Sequence, residues 1–290
     1  MKPELECIPC YLQQALKISS VLNLDDTAKK EIMAESLDLV SPNNELNKTT
    51  PYYIREIWKI IKKHTDNKDP YKSTKQHYNQ MMQERAIVLE EVIQTESNPF
   101  RSALKIAIAA NVIDFGSKQN TDEIAIVREI DYKHSKPLYI DHHKELKNQI
   151  KNSKTLLYLG DNCGEIVFDK LFIQQIQKLN PDLSITFAVR GAPIINDVTV
   201  EDAEQVNMHE VARVIDNGSD APGTEVHEAS ETFRKEFYSA DVIISKGQGN
   251  FESLSHIDRG NIFFLFRVKC DAVSKQTQAS DGSHVCFQKT

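Results

Sequence analysis

The sequence predicts an α/β protein in which a wholly helical first third precedes a mostly parallel sheet built from βαβ units. Two observations carry this. Up to about Thr95 the apolar residues recur at spacings of three and four. After Ser153 short apolar runs alternate with helical ones, the pattern of a parallel sheet wrapped by helices. With 290 residues the chain can build one large core and a smaller helical part. The expected division is a helical subdomain at 1–98 and an α/β core at 99–290.

Taken in order, Leu12, Ala15, Leu16 and Ser19 mark one helix face, Ile54, Ile57, Trp58 and Ile61 a second, and Met81, Met82, Ile87 and Leu89 a less regular third. Pro42-Asn43-Asn44 and residues 66–70 break these helices. Beyond Asn98-Pro99, the run from Ala103 to Asp114 is so rich in alanine and isoleucine that it predicts a helix buried on most sides. A more polar helical stretch continues to about Lys151, interrupted at 131–137. Strands are expected at 155–160, 184–189, 211–216, 241–245, 262–266 and 285–288, although 211–216 reads equally well as a helix end. Helices at 165–178, 199–206 and 230–237 connect them. Such a sheet presents ligands at the carboxyl ends of its strands, beside the following helix N-termini.

Composition narrows the function classes. Lys and Arg number 35 against 42 Asp and Glu, a formal charge of -7 that repels a phosphodiester backbone. The basic stretch from Trp58 to His64 and the polar residues 70–90 read as solvated helix faces, so no nucleic-acid partner is expected. Apolar residues at 40% with ten Gly and ten Pro suit a folded protein. No window approaches the roughly 18 apolar residues of a membrane span, and Met1-Lys2-Pro3-Glu4-Leu5-Glu6 lacks the basic-then-apolar pattern of a secretory signal. The expectation is a cytoplasmic protein without a membrane partner. Five cysteines, an odd count at irregular spacing, point to free thiols or a metal site rather than a disulfide framework.

Three strand ends carry candidate chemistry. Leu159-Gly160-Asp161-Asn162-Cys163-Gly164-Glu165 runs from a strand into a helix, and an adjacent Asp and Asn can share one hard cation through carboxylate and amide oxygens. The same spacing of Asn162 and Glu165 is also that of a capping box. Val189-Arg190-Gly191-Ala192-Pro193-Ile194-Ile195-Asn196-Asp197 supplies a second carboxylate, or merely a helix cap. Two anionic oxygens and one neutral oxygen match a magnesium- or manganese-type ion. Ser245-Lys246-Gly247-Gln248-Gly249-Asn250 places a point charge before two glycines, the composition of a phosphate cradle or of a plain strand-to-loop turn. Cys7-x-x-Cys10 reads as two buried thiols, a redox pair, or half of a zinc site completed by Cys270 or a histidine. His142-His143 are consecutive, do not share a face, and are expected at the surface.

The order Cys7-x-x-Cys10, Gly160-Asp161-Asn162-x-Gly164-Glu165, Arg190-Gly191-x-Pro193-Ile194-x-Asn196-Asp197, Lys246-Gly247-x-Gly249-Asn250-x-Glu252 and Lys269-Cys270 resembles the metal-dependent damage-control phosphatases, specifically from Leu156 onward. The Cys-x-x-Cys is similar to the branch common in archaea and bacteria. The resemblance implies a three-layer α/β/α core, one divalent ion (Mn2+, Co2+, Ni2+ or Mg2+) and hydrolysis of small phosphate monoesters such as sugar phosphates or damaged phosphometabolites. It implies Asp161, Asn162 and Asp197 as metal ligands and Lys246, Gly247, Gly249 and Asn250 at the phosphate. Arg190 is expected beside it, and Asn111 and Asp114, in an Asn-x-x-Asp stretch similar to the family's buried helix, are implied to line the pocket. Glu165 then orients water or a ligand. Cys163 stands where a small residue is expected, and Asp271 where a proline is.

Three other readings stay open. A haloacid-dehalogenase-like phosphatase needs a second carboxylate at Cys163. A carboxylate methyltransferase needs a glycine-rich first turn that Gly160 to Gly164 fits poorly. A non-enzymatic zinc or redox module centred on Cys7 and Cys10 leaves the acidic groups as caps. Oligomeric state and the attacking nucleophile are not legible.

Overall fold

The structure, a computed structural model, describes residues 1–113, 123–133 and 136–289. Asp114 lies outside these residues. The first helices are α1 (Cys7–Val21), α2 (Asp26–Leu39), α3 (Thr50–Lys62) and α4 (Lys72–Thr95). Their apolar spacing is the expected one, with the stripe rotated in two cases. In α1 the buried face is Tyr11, Ala15 and Ile18, whereas Leu16 is exposed. In α4 it is Tyr78, Met82, Leu89 and Ile93, with Ile87 outside.

Helix α5 (Pro99–Ala109) begins where Asn98-Pro99 predicts. Asn98 Oδ1 accepts from Arg101 N at 3.2 Å, and Pro99 occupies the first turn, where its missing N–H is no loss. From Ala103 to Ala109 the helix is buried except at Lys105. Next come α6 (Glu123–Lys133), the two-residue strand β1 (Ile140–Asp141) and α7 (His143–Asn152). His142 and His143, expected at the surface, are half-buried, and His143 Nδ1 lies 2.6 Å from Asp141 Oδ1.

The α/β part runs β2 (Thr155–Leu159), α8 (Glu165–Leu179), β3 (Ser184–Val189), α9 (Val200–Gln205), β4 (Arg213–Asp216), α10 (Glu231–Ser239), β5 (Val242–Lys246), α11 (Gln248–Leu254), β6 (Ile262–Arg267), α12 (Asp271–Thr277) and β7 (His284–Gln288). The sheet order is β1-β7-β6-β5-β2-β3-β4. Strands β6, β5, β2, β3 and β4 are mutually parallel, and β7 returns antiparallel to β6. That reversal was not expected. It arises because the segment after β6, including the seven-residue α12, stays at one end of the sheet and re-enters from there.

Alternation along the strands builds three layers. Leu156 and Tyr158 face a core shared with α1 to α5 and α8, while Leu157 and Leu159 face a second core of Phe233, Phe237, Phe251, Phe266 and Val273. The first core runs without interruption from Tyr11 to Ile244, so the helices before residue 99 share their interior with the sheet. Strand β4 is at the edge and half exposed, which explains its ambiguous sequence signal. The chain goes from β2 outward through β3 and β4, then returns to β5 on the other side of β2. The crevice between the carboxyl ends of β2 and β5 is therefore the topological switch point, where open α/β sheets bind their ligands.

Candidate metal centre and cavity

Four segments meet in that crevice. Residues 161–163, which follow β2, pair with residues 196–198 through Cys163 N to Asn196 O and Val198 N to Asp161 O, both 2.9 Å. An isolated antiparallel bridge joins Asn162 to Asp197. Ile195, a β-branched residue at φ +46°, makes the turn that brings Asn196 and Asp197 back over the strand end. Left-handed backbone at such a residue costs about 1–3 kcal/mol and persists where the surroundings demand it.

Asp161, Asn162 and Asp197 thus come together. Asn162 Nδ2 donates to Asp161 Oδ2 at 2.6 Å. Arg190, 2% exposed, donates from Nε to Asp197 Oδ2 at 2.6 Å and reaches Asp161 Oδ1 from its terminal nitrogen at 3.5 Å. One guanidinium therefore spans both carboxylates. Its other terminal nitrogen donates to Asn250 Oδ1 at 3.2 Å and Thr224 Oγ1 at 3.4 Å.

Gly247, which follows β5, sits against Asp161 so closely that a Cβ added there would lie 1.9 Å from Asp161 Oδ2. With φ at +79°, it is a glycine on two counts. Gly247→Ala is expected to displace the Asp161 carboxylate and to lower stability by about 1–3 kcal/mol. Denaturant unfolding together with divalent-ion binding checks this; a variant unchanged in both would refute the contact.

Beneath this group lies a second layer of charge. Lys246 Nζ is fully buried, donates to Ala107 O at 2.9 Å, pairs with Glu165 Oε1 at 2.7 Å and bonds Asp169 Oδ1, which also accepts from Tyr158 OH at 2.7 Å. Glu165 Oε2 accepts from Asn111 Nδ2 at 2.9 Å and Asn162 Nδ2 at 3.1 Å. Burial alone would lower the lysine's pKa, and Asp169 and Glu165 more than reverse that. Burial raises Asp169, to about 6. Burial, then Glu165 and Asp197, push the Asp161 carboxyl well above the ordinary carboxylate range, against Arg190 and Lys269. Four buried carboxylates (Asp161, Glu165, Asp169, Asp197) face two buried cations (Arg190, Lys246), leaving two negative charges unbalanced when all are ionised.

Several expected roles change with these contacts. Lys246 is not a phosphate clamp, since its ammonium is spent on Glu165, Asp169 and Ala107 beneath the crevice. Glu165, expected to orient water or a ligand, has no exposed surface: Oε1 is ion-paired with Lys246 at 2.7 Å and Oε2 accepts from two amide nitrogens. Arg190 holds carboxylates rather than substrate. Asn111 bridges Asp161 Oδ2 at 3.0 Å and Glu165, and its Oδ1 accepts from Arg267 N at 3.2 Å, so it too is a strut. Asn250 is fully buried, with Nδ2 donating to Lys246 O at 2.7 Å and Gly160 O at 3.2 Å. Gly247 to Asn250 is the start of α11 rather than an open phosphate loop, and of these residues Gln248 and Gly249 reach the cavity.

That cavity, about 600 Å³, is of small-molecule size. Asp161, Asn162 and Asp197 line one part, Arg267 and Lys269 another, and Cys7, Cys10, Tyr11 and Gln14 of α1 a third. Arg267 and Lys269 were not among the expected site residues. The signal for them was available in the lysine that follows β6 at the same sheet edge. Asp169 was also missed, although it follows Glu165 by four residues and so shares its helix face. The thiols of Cys7 and Cys270 are pushed up by burial, the opposite of a reactive thiolate. Burial likewise raises the thiol of Cys163. Among the described residues no group of three His, Cys, Asp or Glu is disposed to hold a metal ion, which leaves the zinc reading of Cys7-x-x-Cys10 without support. Among the same residues no helix is long and apolar enough to cross a membrane.

An open, mostly parallel sheet with acidic and amide side chains converging at its switch point defines a doubly wound α/β protein with a crevice rich in carboxylates. Residues 4–285 match the damage-control phosphatase ARMT1-like domain, and the chain belongs to that family. It is 32% identical over 288 residues to damage-control phosphatase PH1575 of Pyrococcus horikoshii, covering 99% of this chain and 98% of that protein. It is 28% identical to a damage-control phosphatase of Archaeoglobus fulgidus, covering 98% of each. The crystal structure of the Pyrococcus horikoshii protein, described as a DUF89 family protein, superposes with a TM-score of 0.86 at 31% identity over the whole of both chains. These relatives support a phosphatase function for the chain.

Proposed function

We propose that the chain is a divalent-metal-dependent phosphatase acting on small phosphate monoesters, sugar phosphates or damaged phosphometabolites among them. The observation that carries this reading is the convergence of Asp161, Asn162 and Asp197 on a cavity of metabolite size. The donors fit the group: carboxylate and amide oxygens are hard ligands suited to Mg2+ or Mn2+, with Co2+ and Ni2+ as further candidates, and a +2 charge would neutralise the buried cluster. Asn162 Oδ1 accepts no hydrogen bond among the described residues and is the neutral donor.

When bound, such an ion offsets phosphate charge and acidifies an attacking water. The protein's part is positional and electrostatic. Arg190 holds the two carboxylates in register, Lys269 and Arg267 offer positive charge to phosphate oxygens from the cavity wall, and α1 with the start of α3 covers the space and limits water. Phosphate release from a panel of phosphorylated metabolites, measured after chelation and re-addition of each ion, tests the reading. Restoration by at least one ion is expected, and no release with any would sink it.

Lys269→Met is expected to raise KM about tenfold or more for every ester in that panel while leaving melting in chelator unchanged, as loss of one charge-assisted contact implies. An unchanged KM would remove Lys269 from the phosphate subsite.

A further inference from the structure

We infer that Glu165 is a positioning residue whose function is to fix which end of the Asn162 carboxamide faces the cation. The inference rests on the metal reading above and assigns a mechanism to a residue that touches neither substrate nor ion.

The two ends of a carboxamide are nearly identical in size, so packing cannot choose between them; only the polarity of their hydrogen-bond partners can. Here polarity is set from below. An ammonium carries no acceptor, so Lys246, ion-paired with Glu165 Oε1 at 2.7 Å, requires an oxygen rather than an N–H at that place. An ionised carboxylate only accepts, so Glu165 Oε2 draws the nitrogens of Asn162 at 3.1 Å and Asn111 at 2.9 Å. Asp161 Oδ2 takes the same two nitrogens at 2.6 and 3.0 Å. Asn111 is fixed independently, because its Oδ1 accepts from Arg267 N, a group that only donates. With its nitrogen engaged twice, Asn162 has its oxygen left over as a ligand. A flipped amide would set that oxygen against two carboxylate oxygens and turn an N–H toward a cation. The chain Lys246 to Glu165 to Asn162 therefore converts a buried lysine into the orientation of a metal ligand, as outer-shell partners do in other metal sites.

The test is calorimetric titration of Mn2+ into metal-stripped protein. In Glu165→Gln the side-chain oxygen stays on Lys246, so its nitrogen faces the nitrogens of Asn162 and Asn111; Mn2+ affinity is expected to fall about 10- to 100-fold. Asp169→Asn removes one negative charge from the same lysine without touching Asn162, and is expected to cost no more than about threefold. If Asp169→Asn weakens binding as much as Glu165→Gln, the effect is charge alone and the inference is overturned. The combination Asn162→Asp with Glu165→Gln keeps the net charge and reverses the donor and acceptor. The introduced glutamine amide would then donate to one carboxylate oxygen at position 162 and leave the other for the ion, while that same carboxylate still faces Asp161 Oδ2, so recovery of part of the affinity lost in Glu165→Gln is expected. A folded double variant no better than Glu165→Gln would refute the mechanism. It also carries the test by itself if the single variant does not fold. A parent protein that binds none of Mn2+, Co2+, Ni2+ or Mg2+ would take down the metal reading and this inference together. A parent that binds, with Glu165→Gln binding equally, overturns this inference alone.

Discussion

Asp161→Asn is expected to abolish metal-dependent phosphate release, lowering kcat/KM by about a thousandfold or more, and at the same time to make the metal-stripped protein more stable. The two signs come from one cause. Burial and the neighbouring charges of Glu165 and Asp197 raise the Asp161 carboxyl far above its ordinary range, outweighing Arg190 and Lys269. A carboxyl whose folded-state pKa is raised contributes stability below its unfolded pKa and loses it as pH rises through the folded value. Above its ordinary value the carboxyl is therefore a cost to stability without a cation, and an amide of the same shape relieves it. Activity against the ester panel and thermal melting in chelator form the pair of measurements. A variant that is inactive because it is unfolded, or one with parental activity, would contradict the assignment; inactivity with a raised melting temperature marks a group held for function at the expense of stability.

Much of the fold was legible because its signals are local. Leu156-Leu157-Tyr158-Leu159 is apolar without a break because both sheet faces are covered, and Asn98-Pro99 announces α5 through a cap and a first-turn proline. The antiparallel β7 was not legible, since strand direction depends on where the chain goes between residues 268 and 283 rather than on any residue in the strand. At the site, Asp161, Asn162 and Asp197 could be named because adjacent oxygen donors at strand ends are conspicuous in sequence. Their partners could not be ranked. Lys246 looks like a phosphate clamp along the chain and becomes a buried counter-ion only when α8 brings Glu165 and Asp169 beneath it. Lys269 occupies the cavity wall because β6 ends one strand away from Gly247, a proximity created by the sheet order.

Lys246→Met is the second large effect expected, and it falls on stability. Removing one partner of a buried ion cluster leaves the others uncompensated and costs about 3–5 kcal/mol. Here the orphans are Glu165 and Asp169, both fully buried, with Ala107 O losing its donor as well. Urea unfolding at pH 7 is the measurement. A residue that merely bound phosphate would instead raise KM and leave the unfolding midpoint nearly alone. The pH dependence separates the cases further. Asp169 already sits at about 6 in the presence of the lysine, so its contribution to stability falls as pH rises from its ordinary value near 3.8 through about 6. Without Lys246 the Asp169 carboxyl moves higher still, so the deficit of the variant should shrink between pH 7 and pH 5 as it takes up a proton. Adding Asp169→Asn to Lys246→Met should recover part of the loss at pH 7, because fewer unpaired charges remain in the interior. A deficit independent of pH and untouched by the second substitution would mean that the lysine's alkyl packing, not its charge, holds this region together.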